Sequence, residues 1–347
     1  MKLIILTDYK NTFYSSTKNN RTLCTMNVEQ IAKYFKQQGI YVQVLSFSKI
    51  NAELDYHNTY IVYTSSEDYG LSYKSYIEDI VLFLNRKGAT LIPDYPYLRA
   101  HHNKAFMELI RYQLLPEQAK LFNSKIYGTF EDIQDANLPN QKYVIKSAFG
   151  AGSKYVKSAD SNEKLLKEAQ RISKNKSLFG LLGEYKKRVL WRGYQRNSLN
   201  REKFIVQDFI GGLNGDFKVL KYGEKFYPLF RKNRENDFRA SGGGRLSFDI
   251  PNDVDKYKLL DFAKEVSDII GTPLCSMDIA WDGSKFLLVE FQCLCFGPYS
   301  AECSERYYRK SNETWEIIKE VCDLEKIFCE AIVRYIEIKE AEKKAID

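Results

Sequence analysis

The chain has 347 residues, 44% hydrophobic and 28% charged, which suggests two or three soluble globular domains with ample material for a core. The net charge of +7 is mild; it fits phosphate-bearing ligands and would also fit weak nucleic-acid binding. No apolar run reaches the length of a membrane span, the start Met1–Leu6 runs at once into Thr7-Asp8 and reads as a buried strand rather than a signal peptide, and seven cysteines without paired CxxC spacing read as reduced cytoplasmic thiols rather than zinc ligands.

Lys2–Asp8 is a predicted strand. Helical spacing of apolar residues over Met26–Gln38 is stopped by Gly39, and predicted strands follow at Tyr41–Phe47 and Thr59–Thr64. A helix over Ser72–Lys87, capped by Gly88, leads to a short strand at Thr90–Pro93. Strand and helix alternate, so the first hundred residues read as an open parallel α/β sheet. Ligands bind such sheets at the carboxyl ends of the strands, which brings Asp8-Tyr9-Lys10 and Ser65-Ser66-Glu67 forward; ordinary loop polarity explains them as well.

His101–Leu115 is predicted helical, with Lys104 in its first turn, where a cation opposes the macrodipole and an anionic partner would offset it. In Tyr143–Lys157 a short strand carries Lys146, a loop with Gly150 and Gly152 follows, and a second strand begins. This order is not a Walker A motif, where the lysine follows the glycines and opens a helix. The loop can present amides to phosphate, or serve as a plain hairpin turn. Ser161–Lys174 is an amphipathic helix. Leu178–Arg201 interleaves Lys186, Lys187, Arg188, Arg192, Arg196 and Arg201 with Tyr185, Trp191 and Tyr194; a solvated surface is the first reading and single-stranded nucleic acid the second.

Phe204–Ile210 is an apolar strand interrupted by Gln207-Asp208. Strands at Asp216–Tyr222 and Lys225–Phe230 follow, then a loop from Arg231 to Arg245 with four arginines besides its glycines. Arginine binds phosphate oxygens bidentately and glycine lets backbone amides approach a ligand. Val254–Ile270 is a helix stopped by Gly271, and Trp315–Lys343 has helical spacing.

Ser276–Gly297 is the stretch around which the chain is organised. Two apolar runs flank Asp282-Gly283-Ser284, a hairpin signal, and carry Asp278 on one strand and Glu290 on the other. Carboxylates among strand formers need a cation, hydrogen-bond donors or a pKa shift. An odd number of connecting residues puts both on one face; a two-residue loop puts them on opposite faces. Gln292 shares the face of Glu290. Two carboxylates and an amide oxygen suit Mg²⁺ bridging phosphates. The competing reading is a buried acid held by a nearby Lys or Arg.

Taken in order, these pieces resemble the ATP-grasp superfamily of the carboxylate–amine ligase type, similar to glutamate-adding and D-alanine–D-alanine ligase-like enzymes. The resemblance covers roughly Lys104 to Pro298. It implies an N-terminal α/β domain over 1–103, a central lid subdomain with the glycine loop over 104–205, and a C-terminal subdomain with the metal site over 206–347, the last two α+β and gripping ATP. Lys104 and Lys146 match the nucleotide-contacting lysines, Gly150 and Gly152 the glycine loop, and Gln207, Asp208, Phe209 and Ile210 the hinge that holds adenine. Asn214 is placed at ribose. Asp216-Phe217-Lys218 is similar to the family's Asp-x-Arg, with Lys218 replacing Arg. Arg231 matches the arginine at the end of the next strand, and Asn236–Arg239 with Gly242, Gly243 and Gly244 resembles the loop of glutamate-adding ligases. Asp278, Glu290 and Gln292 match the metal ligands, Gln standing where Asn is usual.

The resemblance implies ATP with Mg²⁺, or Mn²⁺ in its place, a small-molecule carboxylate and an amine as substrates, and a cytoplasmic ligase working through an acyl phosphate. Arg231, Arg239 and the amides of Gly243 and Gly244 would stabilise that intermediate. A small-molecule kinase on the same fold and a non-catalytic ATP-binding protein are the alternatives. A nucleic-acid partner ranks behind them, and a homo-oligomer is compatible with the chain.

Overall fold

The computed structural model describes residues 2–17, 24–150, 155–174, 178–235, 237–240 and 243–346. Gly152, Asn236 and Gly242, singled out from the sequence, lie outside them. The chain divides into two compact units, one built from Met1–His101 with Leu213–Asp347 and the other from His102–Gly212.

The first unit opens with β1 (Lys2–Thr7), a short ribbon of β2 (Ser15–Ser16) and β3 (Cys24–Thr25), α1 (Val28–Gln37), β4 (Tyr41–Ser46), β5 (Thr59–Tyr63), α2 (Ser72–Arg86), β6 (Thr90–Ile92) and α3 (Tyr95–Ala100). Asn27 starts α1 by accepting the Gln30 amide at 3.0 Å. The four main strands form a parallel sheet in the order β4-β1-β5-β6, so the chain reverses direction of winding between β1 and β5. Ile4, Ile5, Ile61 and Val62 in the central strands are nearly inaccessible, the burial on both faces that a parallel sheet covered by helices requires.

The second unit follows: α4 (Lys104–Leu114), α5 (Pro116–Phe122), β7 (Lys125–Tyr127), α6 (Phe130–Gln134), β8 (Tyr143–Ser147), β9 (Val156–Ala159), α7 (Asn162–Ser173), α8 (Leu178–Leu190) and β10 (Phe204–Asp208). Its sheet is antiparallel in the order β7-β10-β8-β9. Period-two alternation separates the faces. Tyr143, Ile145, Phe204 and Val206 join the core that includes Leu165 and Ala169 of α7, while Ile205 packs with Ala105 of α4 and Ala148.

The chain then returns to the first unit with β11 (Gly215–Tyr222), β12 (Lys225–Lys232), β13 (Leu246–Ser247), α9 (Lys256–Ile270), β14 (Leu274–Trp281), β15 (Phe286–Gln292), α10 (Tyr299–Glu302), β16 (Arg306–Ser311), β17 (Thr314–Lys319) and α11 (Leu324–Ile346). The sheet order is β15-β14-β11-β12-β16-β17, with β13 also on β12. Asp255 caps α9 by accepting the amides of Tyr257 and Lys258, and Gly271 ends it at φ 71°. Phe328 and Ile332 of α11 lie in one core with Leu3 and Ile5 of β1 and Leu220 of β11, which joins both ends of this unit.

Three sequence expectations are corrected. The stretch Trp315–Lys343 is not helical throughout: Thr314–Lys319 is a strand in a hairpin with Arg306–Ser311, and the helix starts at Leu324. The strand expected to end at Phe230 runs on to Lys232, so Arg231 is a strand residue. The helix expected over His101–Leu115 starts only at Lys104, after a turn that parts it from α3.

Candidate active site

The hairpin of β14 and β15 brings its carboxylates together through an irregularity. Asp282–Lys285 connects the strands, an even number of residues, and Trp281, Ala280 and Ile279 pair with Phe286, Leu287 and Leu288. Continued unchanged, that register would set Val289 opposite Asp278 and Glu290 on the other face. The register instead shifts between Asp278 and Ile279, Val289 is left over as a bulge, and Glu290 pairs directly with Asp278. Gln292 follows on the same face and sets its amide nitrogen 3.3 Å from Glu290 Oε1.

The neighbouring strands supply cations to this face. Lys218 on β11 is opposite Asp278, with Nζ 3.7 Å from Asp278 Oδ1, and it donates to Ser276 Oγ at 2.8 Å. Two residues earlier on β11, Asp216 is opposite Arg231 on β12. Arg231 grips Asp216 with both arms of its fork, Nε to Oδ1 at 2.6 Å and Nη2 to Oδ2 at 2.8 Å, and Nη2 also lies 2.6 Å from Asp278 Oδ2. Burial works against the Arg231 charge, but Asp278 and Asp216 outweigh it and hold its pKa above the ordinary value. The Asp216 carboxyl is raised to about 6 by the balance of burial, which pushes it up, Arg231, which pulls it down, and Asp278, which pushes it up.

Asp278, Glu290 and the Gln292 amide are hard-oxygen donors from two adjacent strands, chemistry that fits a Mg²⁺-like cation. The buried-acid alternative is visible in the same place, since Arg231 and Lys218 already face Asp278. Both partners of Arg231 matter, and Asp216, named from the sequence only as the start of the Asp-x-Lys match, is the one given no site role there. Its signal was there: polar Asp216 and Lys218 alternate with Phe217 and Val219, the two-residue period of one strand face.

Arg239 follows in the loop returned to β12 by β13. Its Nε donates to Asp237 Oδ1 and Oδ2 at 3.0 and 2.8 Å. The Gly243 amide donates to Ala240 O at 3.2 Å, Gly244 holds φ 69°, and Asn214 is exposed, its carbonyl taking the Asn233 amide at 3.2 Å.

In the second unit, Lys104 opens α4 and donates from Nζ to Gly150 O at 2.8 Å, while its backbone amide donates to Ala148 O. A Cβ on Gly150, already at φ 102°, would stand 3.0 Å from the Tyr155 ring, so the loop closes tightly there. Lys146 sits between Ile205 and Val156 in the sheet register and shares its face with Gln207. Gln207 is buried; its amide nitrogen donates to Ser124 Oγ at 2.7 Å and to Glu108 Oε1 at 3.3 Å. Glu108 also accepts from Ser124 and faces Arg111, a buried group the sequence reading did not assemble. Asp208 turns the other way, to Gln141 and Asn123, and the Phe209 amide donates to Lys142 O just past the strand end; Ile210 follows outside it.

At the β1–β5 reversal, Asp8 Oδ1 accepts the amides of Lys10 and Thr12, both at 2.8 Å. His101 Nδ1 lies 2.9 Å from Ser65 Oγ, and Thr64 Oγ1 lies 3.5 Å from Cys295 Sγ in the segment after β15. The polar loops expected near a ligand thus collect at the carboxyl ends of the sheet.

The fold defined by these sheets is the ATP-grasp fold. Among solved structures the chain is similar to D-cycloserine synthetase DcsG, at 12% identity and a TM-score of 0.52, covering 96% of this chain and 99% of that one. It is also similar to a RimK domain ATP-grasp protein from Sphaerobacter thermophilus DSM 20745, at 10% identity and a TM-score of 0.50, covering 96% of this chain and all of the other. No protein-family model matches the sequence, and no curated protein does. Among the described residues, no helix is long and apolar enough to cross a membrane.

Proposed function

We propose that the protein is an ATP-dependent ligase joining a carboxylate to an amine. The observation that carries this reading is the direct pairing of Asp278 with Glu290, with Gln292 beside them and Arg231 on the same sheet face. The synthetase among the solved neighbours agrees with it.

In this reading Asp278, Glu290 and Gln292 hold Mg²⁺, which when bound neutralises phosphate oxygens. Lys104, Lys146 and the amides around Gly150 and Gly152 take the phosphates, the stretch Gln207, Asp208, Phe209 and Ile210 takes adenine, and Asn214 takes ribose. Lys218 steadies Asp278. The substrate carboxylate attacks the γ-phosphorus and ADP leaves, giving an acyl phosphate. The amine nitrogen then attacks the acyl carbon, and phosphate departs carrying the amine proton. Arg231, kept in place by Asp216, meets the charge of the acyl phosphate; Arg239 with the amides of Gly243 and Gly244 meets the tetrahedral oxyanion.

The test is a turnover assay across carboxylate and amine mixtures. ADP and free phosphate are expected in equal amounts, and hydroxylamine with carboxylate alone should trap a hydroxamate. Arg239→Ala should lower amide formation by about a hundredfold, the scale of losing one oxyanion donor. An acid-stable phosphorylated product without hydroxamate would replace the ligase with a kinase.

A further inference from the structure

The helix α8 turns apolar side chains to the surface. Among its described side chains the buried one is Glu184, which accepts from Tyr194 Oη at 2.7 Å, from the Asn197 amide at 3.2 Å and from Lys187 Nζ at 3.3 Å. Its outward stripe is apolar: Leu182, Tyr185 and Val189, three and four residues apart, are 66, 70 and 66% exposed. Leu190 and Trp191 continue the apolar surface at the helix end, 62 and 58% exposed. By helical spacing exposed Lys186 lies on one flank of the stripe and exposed Arg188 on the other, exposed Arg192 follows just past the helix end, and among the described residues none of the three takes a carboxylate. The amphipathic helix α7, by contrast, keeps its apolar Leu165 and Ala169 buried. An exposed apolar stripe edged by cations marks a contact surface rather than a solvated one.

We propose that the outer face of α8 docks an acidic amphipathic segment of another polypeptide, its apolar residues on Leu182, Tyr185 and Val189 and its carboxylates on Lys186, Arg188 and Arg192. The charge pattern selects this occupant. A second copy of a chain of net charge +7 would bring like charges against these cations. Within the stripe Tyr185 is one ring between two aliphatic side chains, Leu182 and Val189, which is not the succession of rings that stacked bases need.

The test uses the full chain and fluorescence anisotropy of a labelled synthetic helix of about 14 residues, with Leu three and four apart and Glu elsewhere. Binding is expected and should weaken about tenfold between roughly 0.05 and 0.5 M salt. Leu182→Asp with Val189→Asp, and separately Lys186→Glu with Arg188→Glu, should each weaken it about tenfold or more at low salt. Both pairs are exposed, so their melting curves should match the parent's. Several outcomes would overturn the proposal: no binding at saturating protein, equal binding of the same peptide with Lys for Glu, or binding that neither variant changes. Tighter competition by phosphatidylserine vesicles or poly(U) would assign the face to lipid or to nucleic acid instead, and a dimer abolished by Leu182→Asp would assign it to a second copy.

Discussion

Two carboxylates share the guanidinium of Arg231, and the sharing makes their removal unequal to the removal of the arginine itself. In Asp278→Asn the fork keeps both of its bonds to Asp216, so Arg231 stays in place and only the oxygen-donor set loses a charge. Asp278→Asn and Glu290→Gln should therefore lower ADP release by about a hundredfold or more and move the melting temperature little. A melting shift with full turnover retained would instead make these acids structural. Arg231→Ala is different: it leaves Asp216 and Asp278 facing each other without the cation between them and should cost about 3 kcal/mol or more. Asp216 also sets a pH dependence. Its folded pKa of about 6 is above its unfolded value, so the folded state holds the proton more tightly. That contribution to stability is complete below about pH 4 and is lost as pH rises through 6. Asp216→Asn should flatten this part of the stability profile in urea titrations; an unchanged slope would contradict it. At this scale Asp278 and Glu290 were legible, because acids among strand formers stand out. For Asp216 the strand face was legible but the role was not, since its partner is fifteen positions away and only strand pairing reveals it.

The hairpin shows what an element adds that a set of residues lacks. Whether Asp278 and Glu290 share a face depended on parity, and the sequence left that open. The loop has even length, and the bulge at Val289 supplies the odd residue. A bulge has no composition signal here, as Leu287, Leu288 and Val289 are all ordinary strand formers. The hairpin of β16 and β17 was missed for a related reason. Its turn puts Asn312 at φ 52° without the glycine that usually advertises such a turn, and β17 lies at the sheet edge, mostly exposed, so its apolar alternation is weak. The start of β11 carries a sharper constraint. A Cβ on Gly215 would lie 2.4 Å from Arg231 O and 2.8 Å from the Phe230 ring. Gly215→Ala should destabilise the protein by about 1–3 kcal/mol and, by shifting the Arg231 backbone, lower turnover as well. Parent-like values in both assays would show that β12 yields without cost.

At the scale of the whole molecule, the alternation of strands and helices announced the parallel sheet and the lysine–glycine order pointed to the fold. The pairing of the first hundred residues with the last third was not legible, because nothing local says which core a helix such as α11 will enter. One unit is contiguous, with its own core around Phe204 and Leu165; the other is made of two stretches separated by it. Residues 102–212 expressed alone should unfold cooperatively in urea, while 1–101 alone should not, since its core includes Leu220, Phe328 and Ile332. A cooperative transition from 1–101 would refute that division. The two-stretch unit also sets an order of events on the ribosome. Its first strands emerge early, with sheet Ile4 and Ile61 awaiting cover, while the inserted unit is the first to have all of its residues outside the exit tunnel. The opening third of the polypeptide must then wait, unfinished and apolar, until α11 has been translated, and that interval is when a holding chaperone would have the most to grip.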